Sequence, residues 1–508
     1  MNERNVRAVL GMLLQYVGAV LLLPLAVALF YREPDWWCFA SAALLSALSG
    51  TVLRGRRRVT ALRRRDAFAI VTLSWLALTL IGAVPFLLSG SVASIADGIF
   101  EAAAGATTTG ATVFPDVERL SHGLQFWRAL LQWLGGMGIV VLSLALLPQL
   151  AVGGMELYKA EAPTPLPERL RPRLADTAIM LWRIYLTLTA VLALLLLLAG
   201  MGAFDALVHA LVTIPTGGFS NKARSIAAFD SPAIEGILIV FMFLAGTNFS
   251  LLHRAWSERR LGAITENAEF RAYAAVLALA SLGIAWSLWR AGVYGAGDAL
   301  RHGVFQAVSI VTTTGFASTD YSLWPSFASS IVFALMFVGA SAGSTSGGVK
   351  VMRHLVILKH GVRELRRLVH PRSVLPLRIG SQTIAENVIA GVLGFLALYI
   401  MLFGVGTLLL AAHGIDLRTS ASSAAAALGN VGPALGATGP MGHFGWLPAS
   451  AKLVLTALMI VGRLEIYTVL VLVLPGAWTG ARRAPGRPSR AGAAPRPQAV
   501  EGRDSVKD

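Results

Sequence analysis

The chain has 508 residues, 55% hydrophobic and 14% charged, with a mean hydropathy of +0.66; this lies outside the range of soluble domains and points to an integral membrane protein. The formal charge of +16 would suit nucleic acid only as a basic face on a soluble fold, and here the basic residues sit in links between apolar runs, so no nucleic-acid partner is expected. Cys38 is the single cysteine, which excludes an intramolecular disulfide, and no Cys/His cluster has metal-ligand spacing.

In chain order, Arg4 and Arg7 precede an apolar run from Ala8 to Tyr31. It is too long for a signal peptide and lacks a small-residue cleavage site, so it reads as the first spanning helix. Runs near the roughly 20 residues that a bilayer requires fall at about 6–30, 36–53, 67–88, 124–148, 176–200, 232–252, 270–290, 325–345, 383–412 and 450–475. The links 54–65, 156–173, 253–271 and 350–378 carry 23 Lys and Arg, against six in the alternate links. The positive-inside rule then places both termini in the cytoplasm. Beyond Trp478 the Arg/Pro/Gly/Ala composition predicts a disordered tail over 479–508.

Four short segments on the sparsely charged side align without gaps on a glycine: GIFEAAAGATTTG (Gly98–Gly110), ALVHALVTIPTGG (Ala206–Gly218), GVFQAVSIVTTTG (Gly303–Gly315) and SASSAAAALGNVG (Ser420–Gly432). Each reads as a short helix running into a small-residue turn, too short to span. Non-helical backbone at membrane depth survives only where it is buried in protein or lines a water-filled cavity, and carbonyls lining a cavity replace a cation's hydration shell. The residues that would bind the ion are Thr108, Thr109 and Gly110; Thr216, Gly217 and Gly218; Thr313, Thr314 and Gly315; and Asn430, Val431 and Gly432. One glycine per turn meets the need for positive φ. Each turn lacks the second glycine of TVGYG, which predicts weaker K⁺ over Na⁺ discrimination than in a tetrameric K⁺ channel.

Repetition at this scale predicts an all-α membrane protein: four repeats of helix, re-entrant pore helix and helix around one central pore, plus two extra N-terminal transmembrane helices. The boundaries are 1–65 for the two N-terminal helices and a basic link, then repeats at 66–155, 174–257, 268–360 and 380–478. In the third repeat, Gly339, Gly343, Gly347 and Gly348 each cost about 1 kcal/mol in a helix, so the span should break below the filter. That places Ser344 and Thr345 with those glycines in a candidate gate. Arg463 lies inside the last apolar run, where a charge normally faces a cavity or partner; facing the pore below the filter, it would act as an electrostatic barrier.

Other intramembrane polar residues carry less information. Glu101, His209, Gln306 and Ser423 share one aligned column, and their variety points to local hydrogen bonding that supports the filter. Asp97 and Asp205 read as helix N-caps, Arg183 and Glu386 as snorkelling side chains. Gly105, Gly135, Gly136, Gly138 and the run 420–427 supply small surfaces for close helix packing.

The four turns, together with FWRALLQWLGGMGIVVL (Phe126–Leu142), GGMELYKAEAP (Gly153–Pro163), FDSPAIEGI (Phe229–Ile237), NAEFRAY (Asn267–Tyr273), GSTSGGVKVMR (Gly343–Arg353) and GRLEIYTVLVL (Gly462–Leu472), resemble the TrkH/KtrB family of potassium uptake proteins, its TrkH branch in particular. The resemblance spans roughly Asn5 to Trp478. It implies K⁺ uptake across a bacterial inner membrane, an intramembrane loop in the third repeat that occludes the pore and moves to open it, and a barrier role for Arg463. It further implies a homodimer on a cytoplasmic TrkA-like nucleotide-binding ring, for which the basic link Lys350–Arg378 is the natural docking surface. The chain itself has no P-loop or dinucleotide fingerprint, so no cofactor is expected in it beyond K⁺ as the bound and transported ion. The alternatives are a symporter coupled to Na⁺ or H⁺ by alternating access and a membrane enzyme, for which His209 and His302 lack the required company.

Overall fold

The computed structural model describes residues 3–55, 64–150, 170–258, 262–380 and 382–473. The motif Gly153–Pro163 and the tail 479–508 lie outside them. The described residues form helices α1 (Glu3–Val20), α2 (Leu22–Phe30), α3 (Trp36–Arg54), α4 (Arg64–Leu88), α5 (Ile95–Ala106), α6 (His122–Leu150), α7 (Leu170–Leu198), α8 (Ala203–Thr213), α9 (Pro232–Ala245), α10 (Phe249–Glu258), α11 (Gly262–Thr265), α12 (Ala268–Arg290) and α13 (Ala296–Val311). They continue with α14 (Ser326–Leu335), α15 (Val351–Val369), α16 (Glu386–Ala411), α17 (Leu417–Gly429), α18 (Ala449–Arg463) and α19 (Tyr467–Val473). One departure from an all-α chain is a two-stranded hairpin, β1 (Arg378–Ile379) and β2 (Gln382–Thr383), turned by Gly380 at φ +60°.

Among the described residues, six helical stretches are long and apolar enough to cross a membrane, and only 28–44% of each apolar window is buried within the chain. Leu44, Leu80, Leu198, Leu279 and Leu408 stay exposed on them, the outward apolar surface that a bilayer covers. The short helices α5, α8, α13 and α17 are enclosed instead. Nearly every residue from Ala96 to Ala106 is buried, Asp97 and Glu101 included, and each buried carboxylate is paired, with Lys452 and Arg128.

Close packing follows the small residues. A Cβ on Gly135 would strike the Ala106 carbonyl, one on Gly136 would strike Pro215, and one on Gly105 would press on Leu131. α1 lies along α3, where Gly11 and Gly50 bring the backbones together.

Three expectations change. The runs 232–252 and 450–475 are not continuous spans: α9 and α10 meet at 98°, α18 and α19 at 114°. The sequence led us to expect a break only in the third repeat, where α14 indeed stops at Leu335. At the first bend the Ala245 and Gly246 carbonyls accept from Thr345 Oγ1 (3.3 Å) and Ser341 N (3.0 Å), and Asn248 Oδ1 caps α10 by accepting from Ser250 N at 2.9 Å. At the second, Glu465 and Ile466 take φ of +61° and +52°, and Glu465 pairs with Arg353. Asp97 and Asp205 are not N-caps either. Ser94 caps α5 by accepting from Asp97 N at 3.2 Å, Gly202 precedes α8, and both aspartates lie one turn inside, where Asp97 pairs with Lys452 and Asp205 with Lys222 (3.3 Å). Among the four short enclosed helices, α17 is the one capped by an aspartate: Asp416 accepts from Thr419 N at 2.9 Å.

Candidate functional site

The four enclosed helices end alike, atom for atom. The amides of Thr108, Thr216, Thr313 and Asn430 donate to the carbonyls of Gly105, Thr213, Ile310 and Ala427, three residues back. Those of Thr109, Gly217, Thr314 and Val431 donate to Ala104, Val212, Ser309 and Ala426, five residues back, at 2.8–2.9 Å. This is the Schellman arrangement, whose left-handed residue is usually glycine. Here Thr108, Thr216, Thr313 and Asn430 hold it, at φ +52°, +55°, +59° and +55°. Asn tolerates that conformation; a β-branched Thr pays about 1–2 kcal/mol for it. The sequence showed the glycines but not this strained column two residues earlier.

Gly110, Gly218, Gly315 and Gly432 also have positive φ, +81°, +73°, +81° and +99°. A Cβ on Gly110 would strike the Gly217 carbonyl oxygen, one on Gly218 that of Thr314, one on Gly315 that of Val431, and one on Gly432 that of Thr109. Each glycine therefore receives the carbonyl of the next turn, and the series closes on itself. All twelve sequence-predicted turn residues belong to this ring or to its helix caps. The turn amides are consumed by the helix ends, which directs the negative ends of four helix dipoles to one place.

The aligned column supports the chain just beyond each turn. Glu101 accepts from Val113 N at 2.9 Å and Thr112 Oγ1 at 3.1 Å, and His209 Nε2 meets Ser220 Oγ at 3.0 Å. Gln306 Nε2 donates to Phe316 O at 3.3 Å, and Ser423 Oγ meets Thr438 Oγ1 at 2.7 Å. Gln132, which the sequence reading passed over, donates to Gly217 O (2.7 Å) and accepts from Phe219 N (3.1 Å). Asn430 Nδ2 joins the fourth turn to the first through Thr109 Oγ1 at 3.1 Å.

One side of the ring opens into a cavity lined by Gly110, Gly218, Gly315, Pro433, Arg128 and Lys222, among others. The other side is covered by the segment Gly339–Lys350. Gly347 N donates to Thr313 Oγ1 at 2.7 Å, and Thr345 Oγ1 donates to Ile214 O at 2.9 Å. A Cβ on Gly347 would clash with Asn430, and Gly339 and Gly348 touch each other. Gly343 and Gly348 have φ of +73° and +65°, while Ser344 Oγ donates to Ser341 O at 2.7 Å. Ala342 N donates to Glu269 Oε1 at 2.7 Å, and Arg463 Nη1 donates to Thr345 O at 3.0 Å. Arg463 is buried, and its Nε and Nη2 find no acceptor among the described residues. Its near neighbour Glu465 belongs to Arg353 instead.

Among the described residues no group of His, Cys, Asp or Glu is placed to hold a metal ion through side chains. The chemistry available at the ring is that of backbone carbonyls and hydroxyls, which suits a weakly hydrated monovalent cation.

The chain matches the TrkH family, described as cation transport protein, over residues 38–284 and 289–476. The Trk system potassium uptake protein TrkH of Halomonas elongata is 42% identical over 482 residues, covering 94% of this chain and 100% of that one. A protein of the same description from Escherichia coli K12 is 39% identical over 483 residues, with the same coverage. The crystal structure of the potassium transporter TrkH from Vibrio parahaemolyticus matches with a TM-score of 0.87 at 38% identity, covering 94% of this chain and 100% of that chain.

Proposed function

The chain belongs to the TrkH family of cation transport proteins, and on that premise we propose that it carries K⁺ across the membrane through the ring of four turns, as the membrane subunit of a Trk-type uptake system. The observation that carries this reading is the closed series of glycine-to-carbonyl contacts from Gly110 round to Gly432. A passage bounded by four such turns offers a dehydrating cation several neutral oxygens at once, and no fixed carboxylate to trap it.

In this reading 66–155, 174–257, 268–360 and 380–478 are four units about one pore, 1–65 lies beside them, and Thr108–Gly110, Thr216–Gly218, Thr313–Gly315 and Asn430–Gly432 form the filter. Gly339, Gly343, Ser344, Thr345, Gly347 and Gly348 form the gate. Their contacts to Ile214, Thr313 and Arg463 support a segment that closes the passage from the cytoplasmic side. Arg463 adds positive charge where a cation would pass, and the cost of that charge in an apolar setting makes its retention there purposeful. The setting is a bacterial inner membrane with both termini cytoplasmic. Two copies would assemble on a TrkA-like cytoplasmic ring that binds nucleotide and engages Lys350–Arg378; the chain supplies no cofactor of its own, only K⁺ sites.

The test is uptake of labelled Rb⁺ into K⁺-loaded liposomes holding the purified chain. Accumulation driven by the K⁺ diffusion potential alone, blocked better by K⁺ than by Na⁺, is the expected result. Uptake that requires a Na⁺ or proton gradient would replace the pore by a coupled symporter.

A further inference from the structure

Arg128, on α6, is only 2% exposed and lies beside the ring. Its Nε donates to Glu101 Oε1 at 2.7 Å, its Nη2 to Thr112 Oγ1 at 3.2 Å and its Nη1 to Ser220 O at 3.0 Å. Thr112 stands two residues after Gly110, and Ser220 stands two residues after Gly218. One guanidinium thus joins equivalent points on the outer limbs of the first and second turns. It also lies over the Phe219 ring at 4.1 Å, which fixes its plane. Glu101 is fully buried, and it holds Val113 N and Thr112 as well as Arg128.

The other junctions are built differently. The second and third limbs meet through Ala227 N to Ala317 O (3.1 Å) and Ala317 N to Ser225 Oγ (3.2 Å). The fourth and first meet through Phe444 N to Thr112 O at 2.8 Å. Limb to limb these are neutral bonds, individually weaker and more compliant than a charge-assisted fork; the third and fourth units meet through an exposed single bond, Arg418 Nη2 to Ser322 O at 3.4 Å, and the ion pairs Glu235–Arg301 and Asp97–Lys452 join helices rather than the limbs that follow the turns.

We propose that Arg128, braced by Glu101, is a specificity-determining positioning residue: it fixes the separation of the first and second turns and thereby the oxygen spacing that a cation meets. The inference rests on the reading of the ring as a K⁺ filter. A larger cation is favoured over a smaller one only while the oxygens resist closing in on the smaller ion, so a rigid brace between two limbs acts on the ratio of cations more than on flux. Lysine keeps the charge but has no planar fork, so it cannot reach Glu101, Thr112 and Ser220 together.

The experiment compares wild type and Arg128→Lys in liposomes, measuring the concentrations of K⁺ and of Na⁺ that halve Rb⁺ uptake. The ratio of the two does not depend on how much active protein is present, so a merely structural role would not move it. The expected result is a fall of about tenfold in the Na⁺-to-K⁺ ratio, as for the loss of one charge-assisted hydrogen bond. An unchanged ratio in R128K overturns the role of Arg128 while leaving the filter in place; absence of any preference in wild type overturns the filter reading itself. If R128K supports no uptake, Thr112→Val decides. It removes one contact of the fork, and it supports the inference if the ratio falls and overturns it if the ratio holds.

Discussion

Gly347 N donates to the Thr313 hydroxyl at 2.7 Å, so the third turn of the ring and the segment beneath it are joined by a single hydrogen bond. Thr313 is strained at φ +59°, and Gly347 has no room for a side chain against Asn430. Strain of this kind persists only where the surroundings enforce it. The ring and the segment Gly339–Lys350 are therefore in direct contact: the hydroxyl that receives the Gly347 amide belongs to a residue whose own backbone shapes the ring.

Thr313→Val keeps the shape and the β-branch but leaves the buried Gly347 amide without its acceptor. An unsatisfied buried donor costs about 1–3 kcal/mol, and that cost falls on the closed arrangement. Basal Rb⁺ uptake should rise several-fold in T313V. Unchanged uptake in protein that purifies as wild type does would show that this bond does not hold the gate.

Gly218→Ala adds a methyl group that strikes the Thr314 carbonyl oxygen, at a φ of +73°. The backbone conformation alone costs about 1–2 kcal/mol, and the collision adds to it, since neither neighbour is the end of a flexible side chain. Uptake should fall by at least about tenfold. Gly236, with open space around it, serves as the control position: Gly236→Ala should transport as wild type does.

The repeated helix-to-turn pattern and its four glycines were legible because a positive φ at a crowded site admits almost no other residue. The break at Gly339–Lys350 was legible for the same reason. The bends after Ala245 and Arg463 were not. Hydropathy averages over a run, and the runs across Gly246 and Leu464 stay apolar on average despite Asn248, Arg463 and Glu465; the bends arise because carbonyls and side chains there find partners in Ser341, Thr345 and Arg353, more than 90 residues away from the first bend and more than 110 from the second. The strained column was hidden because Thr gives no signal for left-handed backbone. Asn430, the one member suited to it, was the only hint. Arg128 and Gln132 were passed over for a similar reason, since each acts on a turn distant from it in sequence.

Arg463→Ala removes the donor to the Thr345 carbonyl together with a buried charge whose Nε and Nη2 lack acceptors among the described residues. Both losses weaken closure, and the second removes a cost. Cation flux should rise, while the thermal midpoint of the purified protein stays level or increases. Lower flux with a normal midpoint would place Arg463 outside the ion path.

Arg353 and Glu465 form an ion pair between α15 and the bend at Leu464–Ile466, with the Arg353 guanidinium 3.9 Å from the centre of the Phe395 ring. Arg353 is almost completely buried and Glu465 largely so. Removing one member of such a pair strands the other, at a cost of about 3–5 kcal/mol, whereas replacing both by neutral groups of similar volume is often close to neutral. Glu465→Gln should therefore lower the thermal midpoint sharply, and the double variant Arg353→Met with Glu465→Gln should recover most of the loss. Flux separates two roles. If the pair only stabilises the bend, the double variant regains wild-type uptake along with stability. If the pair also transmits movement of α15 to the residues that hold Arg463, the double variant is stable yet stays fixed in one conductance state, because α15 and the bend no longer move as one.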